Sequence, residues 1–129
     1  MAGKRRSIHV DGIAHGMPIP MGSLVGNILF SSGISGADPS NGKLPEDLEA
    51  QCEFAFANMK ALVENAGGTL DDIGAVKITM KDRANRDMMN KSWVKSFPEA
   101  ESRPARHVDE NPGLGGGMQI QLEITAVIG

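Results

Sequence analysis

Apolar positions along the chain fall into two helical stripes and several strand-like alternations. Leu48, Cys52, Ala55, Met59, Leu62 and Ala66 recur at steps of four and three, which predicts one amphipathic helix from about Pro45 to Ala66. Pro45 suits a first helical position, Glu46 and Asp47 complement the positive helix end, and Gly67 supplies the stop. A second helix is expected from near Asn85 to Phe97, ended by Pro98, with Met88, Met89, Trp93 and Phe97 as packing residues. Residues 73–81 alternate, with Val76, Ile78 and Met80 on one side and Lys77, Thr79 and Lys81 on the other. The closing stretch from Met118 to Ile128 does the same. Met118, Ile120, Leu122, Ile124 and Ala126 share one face, and Gln119, Gln121, Glu123 and Thr125 share the other.

Residues 27–33 form a compact apolar run and read as a further strand. Gly12, Gly16, Pro18, Pro20 and Gly22 divide residues 8–22 into short extended pieces, and Asn41-Gly42 marks a tight turn. The order is strand, strand, helix, strand, helix, strand, strand. It predicts an α+β fold of one domain spanning 1–129, with two helices packed on one face of a mostly antiparallel sheet. The other sheet face carries Lys77, Thr79, Gln121 and Glu123. Two readings fit it: an ordinary solvated face, or a face that meets copies of itself around a wet cavity.

Composition removes several classes of function. A chain of 129 residues with 40% hydrophobic residues, 22% charged residues and net charge −3 matches a soluble globular protein and lacks the broad basic surface of a nucleic-acid binder. Lys4-Arg5-Arg6 is the one basic run and reads as a solvated tail. No segment reaches the ~20 apolar residues of a membrane span, and no signal-peptide core is visible. The single Cys52 lies on the helical stripe, which predicts a buried, inert thiol and fits a reducing, cytoplasmic setting.

Candidate chemistry concentrates near Arg103-Pro104-Ala105-Arg106. Pro104 forces Arg103 into extended geometry, and a strand from there would put Arg106, Val108 and Glu110 on one face and His107 and Asp109 on the other. Arg106 presents a planar fork of donors that fits a carboxylate, and Glu123 on the following strand could complete a small pocket for an acidic metabolite. The competing reading is a surface ion pair of Arg106 with Glu110 or Asp109, which contributes about 0–1 kcal/mol. Metal chemistry finds no support, because His9, His15 and His107 are scattered and no Cys-x-x-Cys exists. The glycines from Gly113 to Gly117 lack the Lys-Ser/Thr ending of a phosphate loop and lead into a strand. No Gly-x-Ser-x-Gly elbow is present.

Several segments in order resemble the RidA family, also called the YjgF family, across about residues 15–129. They are Gly26-Asn27 leading to Ser31-Ser32-Gly33, Asp38-Pro39 with Asn41 to Pro45, Asn58 to Val63, Ala66-Gly67, Asp72-Ile73, Lys81-Asp82, Asn90, Pro104-Ala105-Arg106 and Leu122-Glu123-Ile124 with Ala126-Val127. The resemblance implies a chorismate-mutase-like fold, a homotrimer with pockets between subunits, and hydrolytic deamination of reactive enamines and imines without metal or cofactor. It implies Arg106 as the clamp on the substrate carboxylate and Glu123 as the group that activates water. Ser32, Gly33, Asn90 and the backbone of Val108 fall at positions that line the family pocket. The connector before the last strand is about two residues longer than in typical members, and an ungapped alignment puts Gln121 at the carboxylate position. The chain contains no tyrosine, and Ile19 or Met21 stands near the position of the family's pocket tyrosine. The alternatives are a pathway-specific deaminase of an aminomuconate-type intermediate, or a module that binds a small acid or acts as a chaperone without catalysis.

Overall fold

A computed structural model describes residues 4–129; Met1 to Gly3 of the expected domain lie outside the described residues. The elements run β1 (Arg5–Ile8), β2 (Gly22–Val25), β3 (Ile28–Ser31), β4 (Ile34–Ser35), α1 (Leu48–Asn65), β5 (Ile73–Met80), α2 (Arg86–Ser96), β6 (Ala105–Glu110) and β7 (Ile120–Val127). One sheet contains every strand, in the order β1-β2-β3-β7-β5-β6, with β4 also paired to β7. Every pairing is antiparallel except β5 with β6, which are parallel. The parallel pair follows from α2, which carries the chain over the sheet and returns it in the same direction.

Side-chain alternation decides which face of the sheet is the core. Val76 lies opposite Ile124 and Ile78 opposite Leu122, so the apolar sets of β5 and β7 share one side. Leu29 of β3 lies opposite Ala126 and extends that surface. Cys52, Ala55, Met59 and Leu62 of α1, with Met89 and Trp93 of α2, are buried in the same cluster. The two-helix, α+β expectation holds, and Met88, Met89, Trp93 and Phe97 all pack as expected.

Two features differ from the sequence reading: the start of the first helix and the state of the basic run. Helix α1 starts at Leu48, because the Asp47 carboxylate accepts from the Ala50 N–H at 3.2 Å and caps the helix. Pro45 lies before the helix, and its carbonyl accepts from Gln51 Nε2 at 2.8 Å. The basic run near the N-terminus is not a free tail: Arg5 and Arg6 belong to β1, which pairs with β2 and buries Ile8. The turn at Asn41-Gly42 forms as expected, with Gly42 at φ +72°.

Helix α1 also buries two polar residues outside its apolar stripe, and both are hydrogen-bonded. Asn58 donates to the carbonyls of Ser35 (3.0 Å) and Ala37 (2.9 Å) and ties β4 to the helix. Gln51 donates to the carbonyls of Pro45 (2.8 Å) and Gly117 (3.0 Å) and accepts from the Gln119 N–H (2.9 Å). It thereby fastens the long β6–β7 connector to the first turn of α1.

Cys52 is buried as expected, and its thiol is pushed up to about 11, first by burial and then by the charges of Asp47, Glu49 and Glu53. Folding therefore favours the neutral thiol. The stability linked to it is fully present below the unfolded value of about 8.5 and is lost as pH rises towards 11. Native protein should react with iodoacetamide at pH 8 at least about 100-fold more slowly than unfolded protein. Equal labelling rates would contradict the buried placement.

Among the described residues, no helix is long and apolar enough to cross a membrane, and no group of three or more His, Cys, Asp or Glu could hold a metal ion.

Candidate active site

Arg106 sits on β6, the edge strand, and its side chain turns towards α2. The cross-strand partner of Arg106 is Val76, so its side chain leaves the sheet on the helix-covered face. The guanidinium Nη1 donates to Asn90 Oδ1 at 2.7 Å, and the group lies 5.0 Å from the centroid of the Trp93 ring. A cation over an indole face gains electrostatically from the ring quadrupole. Trp93 is in turn braced edge-to-face by Phe97, at 4.8 Å between centroids. Partial burial, and then the nearby charge of Arg86, lower the Arg106 pKa. Arginine remains protonated all the same, so the site holds a partly desolvated cation with a positive neighbour, an environment that favours an anionic ligand.

The surface ion pair considered for Arg106 does not form. Asp109 faces Lys77 at 3.7 Å, and Glu110 accepts from the Arg83 N–H at 3.0 Å. Val108 lies on the same side of β6 as Arg106, half-buried against the core.

A second group of expected residues gathers on the other side of the sheet. After β3 the chain breaks its pairing with β7 at Ser32 and Gly33 and resumes in β4, where Ser35 lies opposite Gln121. The Ser32 hydroxyl donates to the Pro20 carbonyl at 2.8 Å, and its N–H donates to the Met21 carbonyl at 2.9 Å, which fixes the kink. A Cβ on Gly33 would collide with the Gln121 amide, so glycine is what lets Gln121 lie across this turn. Gly33 and Gln121 line a cleft of about 280 Å³ together with Ser35, Met118 and His15. Ile19 and Ser32 line a neighbouring shallow cleft with Phe30 and Arg5.

Glu123 and Gln121 share the open face, as the alternation requires, but in different surroundings. Gln121 is half-buried in the cleft, whereas Glu123 is exposed, opposite Lys77. Glu123 does not line the cleft.

Within one chain Arg106 and Glu123 do not meet. Strand β5 lies between β6 and β7, and Lys77 is the shared partner of His107 and Glu123. His107, not Arg106, therefore shares the face of Glu123. The pocket expected between adjacent strands is absent from the single chain for that reason. The candidate residues thus fall into two groups: Arg106, Asn90 and Val108 at the sheet edge, and Gly33, Gln121, Ser32 and Ile19 around the clefts of the open side.

Sequence reading missed His15 and Trp93. Trp93 carried the signal of a packing residue and is one, with a second role under the guanidinium. His15 lies in a Gly- and Pro-rich stretch with no periodic pattern, so nothing in the sequence pointed it at Gln121.

The sequence and the fold are similar to those of known proteins. A family model described as endoribonuclease L-PSP matches residues 21–128. The RutC family protein PYRAB12510 of Pyrococcus abyssi is 33% identical over 103 residues, covering 79% of this chain and 80% of the relative. The 2-iminobutanoate/2-iminopropanoate deaminase of Escherichia coli K12 is 32% identical over 111 residues, covering 85% and 87%. The crystal structure of RidA from the Antarctic bacterium Psychrobacter sp. PAMC 21119 matches with a TM-score of 0.88 at 30% identity, covering 95% of this chain and 99% of that one. With the family model spanning most of the chain and the fold agreeing along nearly all of it, the chain belongs to the endoribonuclease L-PSP family, the RidA family that its ordered segments resemble.

Proposed function

We propose that the protein hydrolyses reactive 2-imino acids, and the enamines that tautomerise to them, to 2-keto acids and ammonia. The sites would form between identical chains of a homotrimer. The observation that carries this reading is Arg106: a partly desolvated guanidinium, held by Asn90 and Trp93, that makes no ion pair among the described residues. Its remaining donors suit the planar carboxylate of an imino acid. The name of the 32%-identical E. coli relative points to the same substrate class. The acidic balance of the chain does not favour a nuclease role, since phosphate contacts need clustered Lys and Arg.

Two observations support assembly. The two groups of a single chain lie on opposite faces, so a site holding both needs a second chain. The open face also exposes Ile28, Phe30 and Val127, with Ile28 directly opposite Val127 in the sheet. Adjacent exposed apolar side chains of this kind mark an interaction surface. In the proposed trimer the Arg106 edge of one chain closes over the Gly33–Gln121 cleft of the next.

In this arrangement Arg106 fixes the substrate carboxylate, which turns a chance encounter into an oriented one. The Gln121 amide, poised beside Gly33, orients the attacking water. Water adds to the imine carbon to give a carbinolamine, which expels ammonia and leaves the keto acid. The Gln121 amide cannot take up a proton, and Glu123 does not line the cleft. Keto-acid release from 2-iminopropanoate tests the function, and light scattering tests the trimer. Binding of a keto acid without turnover of any imino acid would replace the enzyme by a small-acid-binding module.

One comparison separates the two β7 candidates. Gln121→Ala is expected to lower kcat about tenfold by releasing the water, whereas Glu123→Gln changes it by less than about twofold. The opposite order would return the base to Glu123 and place that residue in the neighbouring chain's cleft.

A further inference from the structure

We propose that His15 is the acid–base residue of the Gly33–Gln121 cleft, taking the proton from the attacking water and handing it to the departing amine. This inference rests on the deaminase reading above. Three observations carry it. First, His15 lines the cleft with Gln121, and no other residue lining that cleft has an ionisable side chain. Second, among the described residues the His15 Nε2 is buried with no hydrogen-bond partner. An unpaired buried polar atom is costly, and a bound water or a ligand group is what normally relieves it. Third, the two neighbours that could supply a carboxylate do not: position 121 is an amide, and Glu123 is exposed outside the cleft.

The chemistry needs one group that can both accept and return a proton near neutral pH, which is the usual task of imidazole. Hydration of the protonated imine forms a C–O bond while the water proton passes to the imidazole, giving a neutral carbinolamine and an imidazolium. The imidazolium then protonates the amine nitrogen. The C–N bond breaks with its electron pair leaving on nitrogen, and the lone pair of the hydroxyl oxygen forms the C=O bond. Loss of the hydroxyl proton completes the keto acid and ammonia. The proton count closes within the site and solvent, and no oxidant, reductant or metal takes part.

The test is the kcat–pH profile of the full-length chain for an imino acid generated in situ. Wild type, His15→Gln and His15→Gln with Gln121→Glu are compared. His15→Gln should lower kcat about 100-fold with KM changed by less than about twofold, and the acid limb of the profile should vanish. The added carboxylate at position 121 should recover about tenfold of the loss, since it restores a proton acceptor in the same cleft. A purely structural His15 would lower thermal stability and leave the profile shape unchanged. If His15→Gln fails to fold, the wild-type imidazole resonances are followed during titration with pyruvate, and a shift of the His15 signals is the expected result. Retention of kcat and of the acid limb in His15→Gln, or unmoved His15 signals, would overturn the inference while wild-type turnover keeps the deaminase reading intact. Failure of wild type to hydrolyse any imino acid would remove that reading and His15 with it.

Discussion

Replacing Arg106 with alanine is expected to lower kcat/KM for imino-acid hydrolysis by about 10³-fold while the oligomer and the fold survive. The size follows from what is removed. A two-pronged contact to a carboxylate consists of two charge-assisted hydrogen bonds at about 1.5–3 kcal/mol each, and 1.36 kcal/mol is tenfold in rate. The fold survives because Arg106 is itself only half-buried and meets the rest of the chain through Asn90, the Met89 sulfur (3.8 Å) and the Trp93 ring. Their joint loss costs about 2–4 kcal/mol, from a hydrogen bond with a charged donor and a cation–π contact, which is within the stability of an ordinary domain. Arg106→Lys is the more demanding variant. It keeps the charge and loses the fork, so a carboxylate clamp predicts a large defect, whereas a simple electrostatic attractor predicts a mild one. Keto-acid release and light scattering on both variants provide the measurement. Wild-type turnover in Arg106→Ala would take the guanidinium out of the mechanism.

The second large effect lies in the scaffold. Gln51→Ala should destabilise the protein by about 3 kcal/mol, from three partly buried hydrogen bonds lost at about 1 kcal/mol each. For a chain of this length that is a fall in Tm of roughly 10 °C. The loss is lopsided. Gln51 holds the Gly117 carbonyl and the Gln119 N–H, so its removal frees the connector whose Gly115, Gly116 and Met118 line the His15–Gln121 cleft. Substrate affinity should therefore weaken below the melting transition. Calorimetry gives the first quantity and KM at 25 °C the second. A drop in Tm with unchanged KM would show that the cleft does not depend on this tether.

Gln51 also shows where sequence reading stops. The stripe from Leu48 to Ala66 identified the helix and the buried position of Cys52, because a helix repeats every 3.6 residues whatever it packs against. That stripe excluded Gln51 and Asn58, since polar residues are buried only where partners wait for them. Those partners are the carbonyls of Ser35, Ala37 and Gly117, which come from distant parts of the chain, and that of Pro45 just before the helix. Strand β1 was missed for a similar reason. Two arginines and a serine look solvated until β2 supplies the pairing and Ile8 finds the core.

The candidate site divides along the same line. Local pattern and resemblance named Arg106, Asn90, Ser32, Gly33 and Gln121, and alternation alone placed Gln121 and Glu123 on a common side of β7. Alternation says which residues of one strand go together; it is silent about which strand comes next. The insertion of β5 between β6 and β7, parallel to one and antiparallel to the other, put Arg106 and Glu123 on opposite faces. The break after β3 brought His15 and Gly33 to Gln121. Periodicity is a property of neighbours along the chain, and so it was readable from the residues; strand order and register come from contacts between distant segments, and only the folded chain settles them.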